Sequence, residues 1–213
     1  MITYFFRNVK FNKNNLEKIE DFSSQQKYIQ SCMPTLKHLH ACKCPKCGCI
    51  DNFSFHCTYE RNLSFVVSQK VVNYIVTVTR VICNSCLSTH ALLPDFIVPY
   101  KIMSICSICN IVKDAVSSSV LTVSCKLNIS YQLIYRYISL LISFFPNIII
   151  LNNVNNYYSK IDKDFYLTEF VFTCNSNFCY DYYCFFKWYF LMDKFRNATY
   201  CPIYIGMAQS CST

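Results

Sequence analysis

Glycine is nearly absent from this sequence, with only Gly48 and Gly206 among 213 residues. A loop that cradles phosphate needs several closely spaced glycines, so a glycine-rich nucleotide-binding motif is excluded. Proline is also scarce, at 6 residues, so asparagine and serine must form many of the turns. Charged residues make up only 15% of the chain, but 53% of it is hydrophobic, which is too apolar for a disordered protein.

No hydrophobic run is long enough to cross a membrane. The most apolar stretch, residues 138–151, is shorter than the roughly 20 residues of a spanning helix and is interrupted by Pro146 and Asn147. The first residues, MITYFFRNVKFNKNN, contain no apolar core followed by a small-residue cleavage site. We therefore expect a cytoplasmic protein without a membrane partner, in a reducing compartment where its 16 cysteines stay thiols or bind metal.

A complete set of catalytic residues is missing as well. The acidic residues of the last third do not follow the alternating strand and helix pattern that a two-metal nuclease core needs. We expect them to be solvated surface carboxylates and the protein not to be an enzyme. These residues are Asp162, Asp164, Glu169, Asp181 and Asp193.

The formal net charge is +8, which favours partners that carry phosphate, either nucleic acid or an anionic membrane surface. The sign of the charge fits DNA without identifying it. A mildly basic protein that binds nothing anionic is an equally acceptable interpretation of charge alone.

Two C-x-x-C pairs predict a structural zinc site with one Zn²⁺ per chain. They are Cys44 with Cys47, followed by Gly48, and Cys83 with Cys86. In each C-x-x-C pair, called a knuckle below, both sulfurs face one ion, and the two knuckles complete a closed tetrahedral site. The 35 residues between the pairs exceed the usual 15 to 20 or so, but their strand-like composition predicts a longer hairpin that absorbs the difference.

Several neighbouring side chains could replace a predicted ligand, and four free buried thiols are the alternative to a metal site. Cys106 and Cys109 form a third C-x-x-C pair, but they lie in an apolar, helical stretch where core packing is favoured. His90 is another candidate ligand, although a capping or packing role is favoured for it. The remaining competitors are His38, His40, Cys42, Cys49, His56 and Cys57.

Residues 116–142 follow the pattern of a helix-turn-helix. Asn128 stands where the turn requires a left-handed backbone, and Ser130 is a good N-cap for the second helix. Ser124 is small where the two helices approach each other, and Ile129 fills the turn. The predicted buried positions of the two helices are Val120, Val123, Leu127, Ile134, Tyr137 and Leu141.

The exposed face of the second helix predicts a reader of double-stranded DNA. Hydroxyl, amide and guanidinium groups at the start of a helix can reach base edges in the major groove or bind phosphates. An ordinary helical hairpin with an aromatic exposed face is the alternative. The candidate DNA-binding residues are Ser130, Tyr131, Gln132, Tyr135 and Arg136.

The segment RVICNSCLSTHALLPDFIVPYKIMS, preceded by CPKCG and HCTYER, resembles a bacterial family of zinc-ribbon proteins of mobile elements that are transposase-like. The resemblance implies zinc ligands at Cys44, Cys47, Cys83 and Cys86 and a helix-turn-helix that reads DNA. It implies an accessory or regulatory protein of a mobile element, with a separate transposase or a second copy as a further partner. Cys42 and Cys49, which flank the first knuckle, depart from the family's pattern.

The sequence thus predicts an α+β protein in which a β-rich zinc ribbon precedes a small helical module. The alternative functions are a zinc-ribbon module for protein interactions and a truncated remnant of a transposase. Pro94 and Pro99 indicate an extended linker between the two modules. The predicted segments are an N-terminal arm at 1–37, the zinc ribbon at 38–100, the helix-turn-helix at 101–145 and an aromatic-rich C-terminal segment at 146–213.

Overall fold

The structure is a computed structural model that describes residues 2–6, 11–39, 42–44, 46–94 and 96–143. The predicted C-terminal segment, the five acidic residues of the last third and His40 lie outside the described residues. Helices and a sheet are both present, which confirms the α+β class. The described strands are β1 Ile2–Phe6, β2 Phe53–Val67, β3 Lys70–Cys83 and β4 Thr89–Pro94. The described helices are α1 Lys13–Glu17, α2 Phe22–Ser31, α3 Ile105–Ser117, α4 Val120–Leu127 and α5 Tyr131–Ser143.

Strands β2 and β3 form the long antiparallel hairpin that the sequence predicts between the two cysteine pairs. Both strands are rich in β-branched and aromatic residues, which favour a pleated sheet. The turn residues Ser68 and Gln69 have φ of 47° and 63°, which matches the twist of a two-residue hairpin turn. β4 pairs antiparallel with the end of β3, and β1 pairs parallel with β4, so the order is β1-β4-β3-β2.

The N-terminal region, predicted only as an arm, contains regular structure. It supplies β1 and two capped helices, with Asn12 and Asp21 as N-caps that accept hydrogen bonds from backbone N–H groups. Leu16 of α1 and Ile29 of α2 are fully buried. The sequence pattern misses β1 because its partner, β4, lies more than eighty residues further along the chain.

Helix α2 covers the edge of β3 that no strand occupies. The side-chain amide of Gln30 donates to the carbonyl of Thr77 at 3.1 Å and accepts from its N–H at 2.8 Å. Gln26 makes the same pair of hydrogen bonds with Ile75. Each glutamine amide therefore takes the place of a peptide group from a neighbouring strand, and it blocks an edge that could otherwise pair with another chain.

The outer edge of β2 is covered by the segment that leads into α3. Ser64 donates its N–H to the carbonyl of Ile102 at 2.9 Å and accepts from the N–H of Ser104 at 3.0 Å. Further along, the N–H of Val66 donates to the Ser107 hydroxyl at 2.9 Å. These bonds attach the helical part of the chain to the sheet.

Helices α4 and α5 meet at the turn that the sequence predicts. Asn128 has φ 50° and ψ 47°, which is the left-handed conformation expected for it. Ser124 lies at the close approach, where its hydroxyl donates to the carbonyl of Ile129 at 2.6 Å. Of the six predicted apolar positions, Val120 is partly buried and the other five are buried, namely Val123, Leu127, Ile134, Tyr137 and Leu141.

One hydrophobic core extends from α1 and α2 through the hairpin to α3, α4 and α5. The segment predicted as an extended linker is part of it, because Phe96, Ile97 and Val98 are buried. The three apolar side chains between Pro94 and Pro99 pack into the core because they are more favourably buried than solvated. The boundaries of the four predicted segments stay predictions.

Within the described residues, no helix is both long enough and apolar enough to span a membrane.

The edge cover by α2 can be tested with Gln30→Ala. We expect the free energy of unfolding to fall by about 1 kcal/mol, because two hydrogen bonds to Thr77 are lost to water. Urea unfolding followed by circular dichroism measures the change. Lys27→Ala, an exposed change on the same helix, should stay within about 0.5 kcal/mol of the unchanged protein. Equal losses in the two variants would contradict the edge-capping role.

Candidate metal centre

The four cysteines predicted as ligands form one cluster. The sulfurs of Cys44 and Cys86 lie 3.6 Å apart, as do those of Cys47 and Cys83, and all four sulfurs lie within 4.8 Å of one another. A disulfide would bring two sulfurs to about 2.05 Å, whereas four thiolates around one tetrahedral ion, each about 2.3 Å from it, lie about 3.8 Å apart. The arrangement could therefore hold a metal ion.

The two knuckles share one backbone conformation. The N–H of Gly48 donates to the Cys44 carbonyl at 2.7 Å, and the N–H of Leu87 donates to the Cys83 carbonyl at 2.8 Å. The residue that donates has positive φ in both knuckles, 74° at Gly48 and 56° at Leu87. Glycine adopts this conformation without cost, but leucine does not. The second knuckle therefore contains a strained residue where the first has none.

Each knuckle also closes a short antiparallel ladder. Lys43 pairs with Ile50 around the first knuckle, and Ile82 pairs with Thr89 around the second. The second ladder belongs to the sheet, so β3 and β4 place Cys83 and Cys86. The first ladder is an isolated bridge outside the strands, so it must be held against the second by other contacts.

Two asparagines and a serine supply contacts between the knuckles. The N–H of Asn84 donates to the Asn52 carbonyl at 2.9 Å, and the Asn84 amide donates to the Asn52 side-chain oxygen at 3.0 Å. The Asn52 amide in turn donates to the Ser85 hydroxyl at 2.7 Å. Sequence reasoning misses these residues, although Asn84 and Ser85 lie between two predicted ligands.

The electrostatic environment differs among the thiols. Cys44 is only 1% exposed, and burial raises its pKa to about 12, although the N–H groups of Lys46 and Cys47 oppose the rise. Hydrogen bonding from the Ser88 side chain lowers the pKa of Cys86 to about 6. A metal ion would deprotonate all four thiols on binding. The buried thiol at Cys44 gains most from such an ion, because a thiolate there has little access to water.

The other candidate ligands stay outside the group of four. Cys42 donates to the His38 carbonyl at 3.8 Å, and Cys49 accepts a hydrogen bond from the Ser85 hydroxyl at 3.0 Å. His90 is buried beside the cluster, with its Nε2 atom 3.7 Å from the Cys44 sulfur. His90 therefore packs against a ligand, as the favoured interpretation of the sequence expects. His56 and Cys57, on β2, also lie outside the group.

The third C-x-x-C pair lies in α3, where Cys109 is buried and belongs to the hydrophobic core. In the described part of the chain, neither Cys106 nor Cys109 belongs to a group that could hold a metal ion. Both observations agree with the core-packing interpretation of this pair.

The five residues predicted to contact DNA are all exposed at the start of α5. The Ser130 hydroxyl accepts from the N–H of Gln132 at 3.2 Å, as an N-cap does. The rings of Tyr131 and Tyr135 lie edge to face with centroids 6.5 Å apart. The exposed residues are Ser130, Tyr131, Gln132, Tyr135 and Arg136.

The choice of ligands can be tested with two serine variants. We expect one metal ion per chain in the purified protein. Cys83→Ser should lose the ion and Cys49→Ser should retain it, because Cys83 belongs to the group of four and Cys49 does not. Elemental analysis by inductively coupled plasma mass spectrometry counts the ions. Equal metal loss in the two variants would mean that Cys49 is a ligand.

The strain at Leu87 predicts opposite effects for matched changes in the two knuckles. Gly48→Ala should lower the free energy of unfolding by about 1 kcal/mol through its positive φ alone, since an added Cβ meets nothing within 4 Å. Leu87→Gly should raise it by up to about 1 kcal/mol. Urea unfolding of the metal-loaded protein measures both. Changes of the same sign would contradict the shared conformation.

A protein-family model described as "Domain of unknown function (DUF6431)" matches residues 44–130. No curated protein and no solved structure matches the chain. The matched span begins at Cys44, the first of the four clustered cysteines, and ends at Ser130, directly before α5. It contains all four clustered cysteines, strands β2 to β4 and helices α3 and α4. Over these residues the chain is similar to DUF6431 proteins.

Proposed function

We propose that this protein is a zinc-binding, sequence-specific DNA-binding protein, a transposase-like accessory or regulatory factor of a mobile element. One observation carries the proposal: five polar and aromatic side chains capable of contacting DNA are exposed together at the start of α5. The partner is double-stranded DNA in the cytoplasm, and a separate transposase supplies catalysis.

The packing of α5 against its neighbours supports a role of this helix in DNA recognition. Val123, Leu127 and Ile134 are buried where α4 and α5 pack. The turn between them is fixed by the left-handed Asn128 and by the N–H of Ile129, which donates to the Ser124 carbonyl at 3.2 Å. A recognition helix needs such fixed packing, because base contacts depend on side-chain placement within fractions of an ångström.

The chemistry of the exposed face suits a major groove. Gln132 can form a bidentate contact with adenine, and Arg136 can bind guanine or a phosphate. Ser130 and the N–H groups of the first turn can bind another phosphate. The first turn of α5 contains no acidic residue, and the net charge of the protein is +8, so the approach of DNA is electrostatically favourable.

Zinc is the metal that the four thiolates favour. Thiolate ligands in a tetrahedral arrangement are typical of structural zinc, and four protein ligands leave no position open for water. The role of the ion is therefore to order the two knuckles and not to catalyse a reaction.

A module for protein interactions is the second candidate, and Leu87 favours it. This side chain is 72% exposed at the tip of the second knuckle, in a conformation that costs energy for leucine. If a partner protein binds Leu87 through an apolar contact, its affinity should be insensitive to salt. DNA binding through phosphates should instead weaken steeply as the salt concentration rises. Titrations over a range of salt concentrations therefore separate the two functions.

The role of α5 can be tested with two variants that should behave differently. Gln132→Ala should reduce discrimination between sequences by about 1 to 3 kcal/mol, because a base contact is lost. Arg136→Ala, if it binds phosphate, should weaken all sequences alike and lower the salt slope by about one. Fluorescence anisotropy on duplexes selected from a random library measures both.

Lys70→Ala, which removes one positive charge at the hairpin turn, is the matched control for Arg136→Ala. It should leave affinity and salt slope nearly unchanged. Identical binding by the unchanged protein, Gln132→Ala and Arg136→Ala, across sequences and salt concentrations, would refute the assignment of α5.

A further inference from the structure

A cavity of about 310 Å³ lies beside β2, and neither the metal centre nor α5 contributes to it. Two tyrosines, Tyr59 and Tyr100, and two basic residues, Arg61 and Lys101, line it together with the apolar Leu93. Its volume is near the lower end of the range for small-molecule sites, which combine apolar walls with a few polar groups.

The guanidinium of Arg61 is held in place by backbone oxygens. Its Nη2 atom donates to the carbonyls of Val98 and Lys101, both at 2.7 Å. Burial lowers the pKa of Arg61, although the nearby Tyr59 opposes this effect. Within the described residues, no carboxylate forms an ion pair with Arg61; the ion pair found there joins Lys13 and Glu17. Two backbone carbonyl dipoles hold this cation in place, and a phosphate would add a charge-assisted partner.

Tyr100 occupies the rim of the cavity in a strained conformation. Its φ is 62°, in the left-handed region that bulky residues rarely adopt, and its side chain is 48% exposed. Glycine at this position would remove the strain, and the exposed ring contributes little to the core. A bulky residue held in this way is typical of a functional site.

We infer that the cavity binds a nucleoside monophosphate unit. Arg61 and Lys101 would bind the phosphate, since arginine and lysine form charge-assisted hydrogen bonds with phosphate oxygens. The rings of Tyr59 and Tyr100 would stack on the base, as aromatic residues do in proteins that bind single strands. The unit is either a free nucleotide or one nucleotide of a single strand. This inference does not depend on DNA binding by α5.

Isothermal titration calorimetry on the full-length, metal-loaded protein tests the inference, with thymidine 5′-monophosphate, thymidine and a single-stranded ten-nucleotide oligo-dT as probes. We expect the monophosphate to bind roughly tenfold more tightly than thymidine, because the phosphate contacts are charge-assisted. Tyr100→Ala should weaken binding roughly tenfold through lost stacking, and Lys101→Gln should weaken it severalfold. Tyr100→Phe should retain the affinity within about twofold, since the ring is kept.

Lys70→Gln, the same loss of charge at the hairpin turn, is the control and should bind as the unchanged protein does. If the oligonucleotide binds through Tyr100 and Lys101 but the monophosphate does not, the ligand is a strand; the converse identifies a free nucleotide. Both outcomes support the inference. It is overturned if neither probe binds, or if Tyr100→Ala and Lys101→Gln, with metal content and circular dichroism intact, bind both probes as the unchanged protein does. If Tyr100→Ala does not fold, Lys101→Gln decides.

Discussion

In the long hairpin, Phe53 lies opposite Cys83 at one end and Val67 lies opposite Lys70 at the other. Side chains alternate between the two faces of a strand, so a slip of one residue would turn Tyr74 from the core to solvent and Cys83 away from the other cysteines. Full burial of a large apolar side chain stabilises a fold by about 1.5 to 3 kcal/mol, and Tyr74 is fully buried. The register of this hairpin thus determines both the core and the metal centre.

The two ends of the hairpin are held by different forces. The hydrophobic core contains residues of β2, β3 and the helices but not Cys44 or Cys83. The hydrogen bonds around Asn52 join the knuckles, and a metal ion held by the four sulfurs would join them further. At the other end, α3 and the loop before it depend on apolar burial and on hydrogen bonds to the edge of β2. Metal loss should loosen the first end more than the second.

Three residues with a left-handed backbone, Leu87, Tyr100 and Asn128, differ in what this conformation costs them. Asn128 adopts this conformation at little cost, because asparagine tolerates it, and it only joins two helices. Leu87 and Tyr100 adopt it at a cost, and both are exposed. Neither side chain belongs to the hydrophobic core. The two residues lie at the tip of the second knuckle and at the rim of the cavity, the surfaces proposed above to bind partners.

Local features were predictable from the sequence alone: the four clustered cysteines, the hairpin between them, and the turn at Asn128 with its two helices. Each depends on spacing within a few residues, on strand composition or on helical periodicity. All of these are properties of residues that are close together in the sequence. Only the tertiary structure decided four other features. Cys42 and Cys49 stay outside the group of four cysteines, β1 pairs with β4, residues 96–98 are buried, and a cavity forms around Arg61. These features depend on contacts between residues far apart in the chain or on small differences in backbone direction, and no local pattern records either.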